Sequence, residues 1–291
     1  MLRFVTGLLS SRYRPGRRAS KVVAIVVPVS NRLQLTADEQ ISLRHLRHFL
    51  SAYDKFLVAP KGLNFQLEGF ETIHLSRKFF GSKRAHDRLL YWPGFFKEFE
   101  DYKYILMHHL DALVLSDDLM EWCKTDVDYI GAPWMPDADK INAWAKEPRV
   151  GNGGFALMKV EAVLNVLHER YRTEPTKYWE DRIAGVFEKL PASLVYRKRL
   201  IPRWIRESTT QRFGERLQRM EVNERNNDIF WSYQAVKYVP NFRIPDWKTG
   251  LRFAFEVAPR QCFELNEQKL PFGCHAWPRY DRAFWEPYLI K

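Results

Sequence analysis

The sequence predicts an α/β protein: a single large domain with a mostly parallel central sheet flanked by helices. Three observations lead to this class. Short β-branched runs alternate with amphipathic segments, no Gly/Ser linker divides the chain, and its 291 residues include 46% hydrophobic side chains. Strands that alternate with helices form a parallel sheet covered by helices on both faces. The apolar share also excludes a disordered chain, because such a chain buries too little surface to offset its ordering entropy.

The first third of the chain predicts the order β-α-β-β-α-β. Three short apolar runs predict strands, at residues 21–29, 55–59 and 102–107, and residues 71–75 predict a further strand between the second and third of these. Two segments with apolar residues at helical spacing predict helices, at residues 37–50 and 82–99, and Pro93–Gly94 interrupts the second.

The second half has a less regular pattern. Residues 129–134 predict a strand that runs into a Pro-Trp turn, and residues 151–158 predict a glycine turn followed by a strand. Residues 137–149 are polar and predict a loop, whereas residues 160–172 predict an amphipathic helix. The arginine-rich segment 197–226 predicts a helical insertion.

Charge and cysteine content narrow the setting of the protein. With 46 Lys+Arg against 35 Asp+Glu, the net charge of +11 permits binding of nucleotide, anionic lipid or nucleic acid. Residues 1–20 form a basic arm that either lies on an anionic membrane or is a frayed terminus. No run approaches the ~20 apolar residues that cross a bilayer, and the three cysteines are scattered. We therefore expect a cytoplasmic protein, attached at most to the inner face of the membrane.

Polar residues that follow buried strands are the first candidates for a ligand site, because ligands of open α/β sheets bind beyond the carboxyl ends of the strands. Ser30, Asn31 and Arg32 follow the first strand, and His109 and Asp111 follow the fourth. Asp111 predicts a site for a divalent cation, Mn²⁺ or Mg²⁺, with an imidazole as a further ligand in the case of Mn²⁺. The alternative is that Asp111 only caps the turn that follows.

A second candidate is the run Gly151-Asn152-Gly153-Gly154. Three glycines in four positions predict positive φ angles and a close approach of the backbone to a ligand, with the Asn152 amide reading a sugar hydroxyl. The alternative is a tight loop between two strands. The spacing is not that of a dinucleotide-binding or P-loop motif.

Further candidates lie in the last third of the chain. Asp228 heads a predicted helix and is either a general base or an acid that stabilises the helix start, and Glu180–Asp181 is a competing acid pair. His275 is either a metal ligand or a core residue, and Trp277 is a stacking platform for a sugar.

Six segments, in this order, carry a resemblance to a known family: YILMHHLDALVLSDDLMEWC, DYIGAPW, GNGGFALM, NNDIFWS, FAFE and LPFGCHAW. Together they resemble glycosyltransferase-like proteins long catalogued as a domain of unknown function, found largely in bacterial polysaccharide and glycan loci. That family is similar to GT-A glycosyltransferases. The resemblance implies a GT-A-like, Rossmann-type domain over residues 21–291, with a nucleotide-sugar half at about 21–135 and an acceptor half at about 136–291.

The resemblance also implies roles for single residues. Asp111 matches the last acid of a DxD metal motif whose first position is His109 here, and His275 resembles a late histidine of the metal shell. Asp228 matches the acid of an N-E-D box, in which Asn227 replaces the glutamate. Asp228 is then the base.

The remaining roles concern the substrates. Glu256 is a further catalytic candidate that contacts the acceptor, Arg32 and Lys83 hold the donor diphosphate, and Asn152 with the Gly153–Gly154 backbone meets the sugar. The implied partners are a nucleotide-sugar donor and a glycan or lipid-linked acceptor, with inversion favoured.

Two other functions stay open at this point. One is a non-catalytic carbohydrate-binding protein, in which Asp111 and Asp228 are structural. The other is a nucleic-acid-binding protein that uses the arginine-rich segment; it ranks last, because the sequence has no RNP or helix-turn-helix pattern.

Overall fold

A computed structural model of the chain describes residues 20–136, 145–177 and 226–290. Four predictions lie wholly or mostly outside these ranges. They are the basic arm 1–20, the loop 137–149, the acid pair Glu180–Asp181 and the arginine-rich segment 197–226.

The strands of the described residues, in chain order, are β1 (Lys21–Pro28), β2 (Asp54–Pro60), β3 (Glu71–Leu75), β4 (Tyr102–His108), β5 (Leu113–Val114), β6 (Tyr129–Gly131), β7 (Pro133–Trp134), β8 (Arg149–Val150), β9 (Phe155–Lys159), β10 (Ala254–Phe255) and β11 (Gly273–Cys274).

The α-helices of the same residues are α1 (Ala37–Phe49), α2 (Lys83–Leu90), α3 (Pro93–Lys97), α4 (Leu119–Lys124), α5 (Val160–Thr173), α6 (Asn227–Ile229), α7 (Ala235–Tyr238), α8 (Trp247–Phe253), α9 (Pro259–Leu265) and α10 (Arg282–Trp285). A π-helical turn, Phe230–Gln234, joins α6 to α7. Within the described ranges, no helix has both the length and the apolar character needed to span a bilayer.

The central sheet has six strands in the order β3-β2-β1-β4-β9-β6. Neighbouring strands among β1 to β4 pair in parallel, and β9 runs antiparallel to both β4 and β6. The predicted class, a mostly parallel sheet flanked by helices, is confirmed. The first four strands also begin and end within one residue of their predicted bounds.

Burial explains why β1 reads as a continuous apolar run. Ala24, Ile25, Val26 and Val27 are consecutive and all fully buried. Because consecutive strand residues point to opposite faces, both faces of β1 are covered. Each fully buried Val or Ile side chain stabilises the fold by about 1.5–3 kcal/mol.

The helices next to the sheet edge begin at side-chain caps. Thr36 Oγ1 accepts a hydrogen bond from the Glu39 backbone N–H at 3.2 Å, and Glu39 Oε2 accepts one from the Thr36 N–H at 2.7 Å, which starts α1. Ser82 Oγ accepts from the Ala85 N–H at 3.1 Å, which starts α2. The predicted helix 82–99 is therefore two helices, since Pro93 begins α3.

A second, three-stranded sheet was not predicted from the sequence. β11 pairs in parallel with β10 and antiparallel with β5, in the order β10-β11-β5. Phe255 lies opposite Cys274, which lies opposite Leu113. This register brings the residues just after β10, just after β11 and just before β5 to one edge of the sheet.

Candidate active site

Three side chains with metal-binding groups meet at the edge of the small sheet. The ligand atoms of His109, Asp111 and His275 all lie within 4.8 Å of one another. His275 Nε2 is 3.3 Å from Asp111 Oδ1. Asp111 and His275, which the resemblance implied as metal ligands, are therefore adjacent.

Backbone hydrogen bonds hold each member of this cluster. The His109 N–H donates to the Gly154 carbonyl at 2.9 Å, and the His109 carbonyl accepts from the Ala112 N–H at 3.0 Å, which closes the turn that carries Asp111. The Asp111 carbonyl accepts from the Trp277 N–H at 3.1 Å. The chain after His275 is thus tied to the turn that carries Asp111, and the His275 N–H donates to the Phe255 carbonyl at 2.9 Å.

Glu256 contacts the His275 imidazole at the ring nitrogen that does not face Asp111. Its Oε1 is 3.0 Å from His275 Nδ1, so the imidazole bridges two carboxylates. The side chains of Glu256 and His275 are 11% and 14% exposed, whereas that of Asp111 is 48% exposed. Glu256 is therefore placed to orient the His275 ring, and its contact with an acceptor stays a prediction.

The two carboxylates set the charge of His275. Burial disfavours the imidazolium, but hydrogen bonds to Asp111 and Glu256 outweigh it and raise the pKa of His275 to about 10. Burial likewise raises the pKa of Asp111, and the bond to His275 outweighs this and holds that pKa well below its usual range. Without a cation, His275 is therefore charged at neutral pH.

His86 is a neighbour that the sequence analysis missed. It lies on α2, and its Nε2 is 3.1 Å from His109 Nε2. Burial lowers the pKa of His86 to about 4 and that of His109 well below its ordinary value, so both rings are neutral. One of the two Nε2 atoms therefore carries a hydrogen and donates it to the other. The signal for His86 was its place in a predicted helix that starts near the ligand edge.

The donor set of the cluster fits a divalent transition metal. Two imidazoles and one carboxylate suit Mn²⁺ better than Mg²⁺, which prefers oxygen ligands alone. Histidines that bind metals commonly donate their second N–H to a carboxylate, and Glu256 accepts from His275 in this way.

Gly153 and Gly154 are needed because side chains pack directly against them. A Cβ on Gly154 would lie 2.1 Å from His275 Nε2, and a Cβ on Gly153 would lie 2.5 Å from Asp228 Oδ1. Neither glycine has a positive φ, and neither does Gly151, so that part of the prediction is wrong. The close approach is to the chain's own site residues. His275 and Asp228 therefore contact consecutive residues of one loop.

Asp228 lies in the first turn after Asn226, whose Oδ1 accepts from the Asp228 N–H at 3.0 Å. Burial raises the pKa of Asp228 to about 7. The positive charges of Lys83 and His275 lower it, and the negative charges of Glu256 and Asp87 raise it. A carboxyl group with a pKa near neutrality is suited to take up a proton at physiological pH.

The candidates that follow β1 lie at the surface beyond the same edge of the central sheet. Arg32 donates from Nη2 to Glu39 at 2.6 Å and from Nε to Ser30 Oγ at 3.1 Å. Asn31 lies against Gly81, where a Cβ would be 3.3 Å from Asn31 Nδ2. Ser30, Asn31 and Arg32 are exposed, and the last two line an open groove beside the start of α1.

Two other candidates have partners within the protein. Asn152 is buried, and its Oδ1 accepts from the Gly154 N–H at 3.0 Å. Trp277 is fully buried, its indole N–H donates to Ser42 Oγ at 2.9 Å, and the Arg282 guanidinium lies over its ring. The prediction of a stacking platform at Trp277 is wrong, because neither face of its ring is open to a ligand.

Residues 69–275 match the sequence profile of a family described as "Protein of unknown function (DUF5672)". The chain belongs to this family. The matched range contains every member of the His109–Asp111–His275 cluster, together with Asp228 and Glu256. No curated protein matches this DUF5672 chain.

Three solved structures are similar to this DUF5672 member. The apo-form glycosyltransferase GlyE of Streptococcus pneumoniae TIGR4 has 12% identity and a TM-score of 0.43, over 93% of this chain and 61% of that one. Another structure of GlyE has the same identity and coverage with a TM-score of 0.37. The bifunctional IspDF from Campylobacter jejuni has 11% identity and a TM-score of 0.34, over 58% of this chain and 48% of that one. The chain thus spans about three fifths of the length of GlyE.

We expect Gly154→Ala to displace the His275 ring from the His109–Asp111–His275 cluster of this DUF5672 member, because the new Cβ overlaps that ring. Overpacking of this kind costs about 1–3 kcal/mol of unfolding free energy, and the displaced imidazole should lower Mn²⁺ affinity. Calorimetric Mn²⁺ titration measures the second effect. Gly250→Ala is the control, since its Cβ meets Val150 and not the site. Equal Mn²⁺ affinity in the two variants would contradict the assignment.

Glu256→Gln tests whether the second carboxylate supports metal binding through His275. Glutamine keeps an acceptor for the Nδ1–H but loses the charge, and such changes reduce metal affinity by about 10–100-fold. Mn²⁺ titration of the folded variant measures this loss. Glu264→Gln on α9 is the control, because Glu264 contacts Gln268 at the exposed surface. A Glu256→Gln affinity like that of the control would rule out the role.

Proposed function

We propose that the protein is a metal-assisted glycosyltransferase that moves a sugar from a nucleotide-sugar donor to a hydroxyl group of a glycan or lipid-linked acceptor. One observation carries the proposal. A His-Asp-His cation cluster and a separate acid with a pKa of about 7 contact two consecutive glycines, Gly154 and Gly153. The sequence resemblance to glycosyltransferase-like proteins supports the same function.

The donor side of the site is the cation cluster with the basic groups near it. His109, Asp111 and His275 would hold the ion, and a bound divalent cation offsets the negative charge of a leaving diphosphate. The chain's own cations are Lys83, whose side chain is 65% exposed at the start of α2, and Arg32 in the open groove. We assign these two side chains to the diphosphate.

The acceptor side is Asp228. Its carboxylate accepts the proton of the acceptor hydroxyl while the hydroxyl oxygen forms a bond to the anomeric carbon of the donor sugar. The bond between that carbon and the donor phosphate oxygen breaks, and its electron pair leaves with the diphosphate. A base on the acceptor side favours inversion of configuration. Asn152 Nδ2 and the Gly153–Gly154 backbone are assigned to the sugar.

The site of action belongs to the same proposal. We place the reaction in the cytoplasm, with the basic arm 1–20 on the anionic inner face of the membrane, where about 1 kcal/mol per Lys or Arg is available near the surface. A lipid-linked acceptor would then be presented next to the site.

The experiment that tests the function is a thermal-shift screen of UDP-, GDP-, CMP- and dTDP-sugars with and without Mn²⁺, followed by a transfer assay with the donor that binds. A ligand of the folded state at a hundredfold excess over its Kd stabilises it by about 2.7 kcal/mol. We expect Mn²⁺-dependent stabilisation by one donor class and sugar transfer from it. Sugar binding without any donor-dependent stabilisation or transfer would favour the carbohydrate-binding alternative and overturn the proposal.

Asp228→Asn tests the base. In the wild type, kcat should rise with pH up to about 7 and then level off, because the pKa of Asp228 is raised to about 7 and only the ionised carboxylate accepts a proton. The variant should lose this dependence and about 10²–10⁴-fold in kcat, while donor stabilisation persists. Asp246→Asn is the control, since Asp246 only caps α8. A variant with wild-type kcat would exclude Asp228 as the base.

A further inference from the structure

Asp87 is a buried carboxylate that has no part in the proposed reaction. It lies on α2, is 5% exposed, and faces the start of α6. Its Oδ1 accepts from Asn227 Nδ2 at 2.5 Å and from the Asn227 backbone N–H at 3.3 Å. Lys83 Nζ lies 3.4 Å from both carboxylate oxygens. None of these contacts was predicted from the sequence.

We infer that Asp87 and Asn227 form a positioning pair that fixes the Asp228 carboxylate against Gly153. Both are positioning residues, since they act on Asp228 and not on the reacting atoms. The inference rests on the proposed function in one respect, namely the role of Asp228 as the base.

The start of α6 is held by side-chain hydrogen bonds. The first backbone N–H groups of a helix have no partner within the helix and need one from outside. Here the N–H of Asn227 donates to Asp87, and the N–H of Asp228 donates to Asn226 Oδ1. Both oxygens belong to side chains, and Asp87 comes from a different helix. The backbone that carries Asp228 is thereby tied to α2.

The side-chain amide of Asn227 lies between Asp87 and Gly153. Because its Nδ2 group faces Asp87, its Oδ1 points the other way, to within 3.2 Å of where a Gly153 Cβ would lie. Asp228 Oδ1 lies 2.5 Å from the same point. Asn227 is buried, and its Oδ1 has no hydrogen-bond partner. The amide thus separates the Asp87 charge from Gly153, and an acid at this position would place two carboxylates in contact.

Several charged groups around Asp228 act on the pKa of its carboxyl group. The groups that act on Asp228 are Lys83 and Asp87 from α2, Glu256 and His275 from the edge of the small sheet, and Tyr129 from β6. Tyr129 is neutral, because burial raises the pKa of its hydroxyl group well above the usual value. Asp87 is the acid among them that also accepts from the backbone of Asn227, the residue before Asp228, so its removal changes both charge and position.

Asp87→Asn separates these two effects. Asparagine keeps an oxygen to accept from Asn227 but carries no charge, so the fold should persist and the Asp228 titration should move to lower pH. Carbon-13 NMR of aspartate carboxyl groups, with Asp228 assigned by Asp228→Asn, measures this without any substrate. An unchanged Asp228 midpoint would overturn the electrostatic part of the inference.

Asn227→Ala tests position. It removes the Nδ2 donor, and misplacement of a reacting group costs about 10²-fold in rate, so kcat should fall by that order while the donor KM is unchanged. Asn266→Ala is the control, a buried asparagine whose Nδ2 donates to the Lys269 carbonyl at 2.8 Å, away from the site. A kcat for Asn227→Ala equal to that of the control would overturn the positioning role.

A reversed pair provides the rescue. Asn227→Asp alone places two acids in contact and should lose stability and kcat, and adding Asp87→Asn restores one donor and one acceptor with the polarity exchanged. Recovery of kcat in the double variant supports the pair, and absence of recovery contradicts it. If the wild type transfers no sugar but Asp87→Asn still moves the Asp228 titration, the proposed function fails while the contact stands.

Discussion

The site depends on one arrangement: the His275 imidazole lies between the carboxylates of Asp111 and Glu256, with its ring packed against Gly154. These four residues come from four separate parts of the chain. Their meeting requires the turn after β4, the end of β10, the end of β11 and the loop before β9 to reach the same place. The small sheet β10-β11-β5 brings three of them together, and the His109–Gly154 hydrogen bond connects that sheet to the fourth.

The charges of Asp111, Glu256 and His275 do not balance without a further cation. Two carboxylates and one imidazolium leave a net charge of −1 in a mostly buried location, and burying charges costs free energy that their mutual attraction does not reliably repay. A hydrophobic cluster would stabilise the fold as well or better. Replacement of the His275 proton by a divalent cation would bring the sum of these charges to zero. This charge balance supports the proposal that the cluster binds a cation.

The sequence sufficed for the parts of the fold with strong local patterns. Strands β1, β2 and β4 are apolar runs with consecutive buried residues, so their ends, and with them His109 and Asp111, could be located. The small sheet could not, because two-residue strands have no periodicity. The role of Glu256 depends on that sheet. Trp277 shows the converse. A tryptophan side chain suits a sugar platform and a hydrophobic core equally well, and only the packing of the fold reveals that this one is a core residue. Asp87 offered a weaker signal, an acid on the buried face of α2 between Ala85 and Leu89.

Two neighbouring groups of the site are displaced from their usual protonation for different reasons. His275 keeps its proton because two acids contact it directly, and its pKa is raised to about 10. Asp228 holds its proton more tightly because its surroundings keep water from the carboxylate, which raises its pKa to about 7. Shifted pKa values of this kind cluster at functional sites and also occur in structural ion pairs. Since Gly153 and Gly154 offer no side chain to separate them, any positive charge gained at the cluster also favours the ionised form of Asp228. The two proposed roles, cation binding on one side of the loop and the base on the other, would therefore be coupled through space.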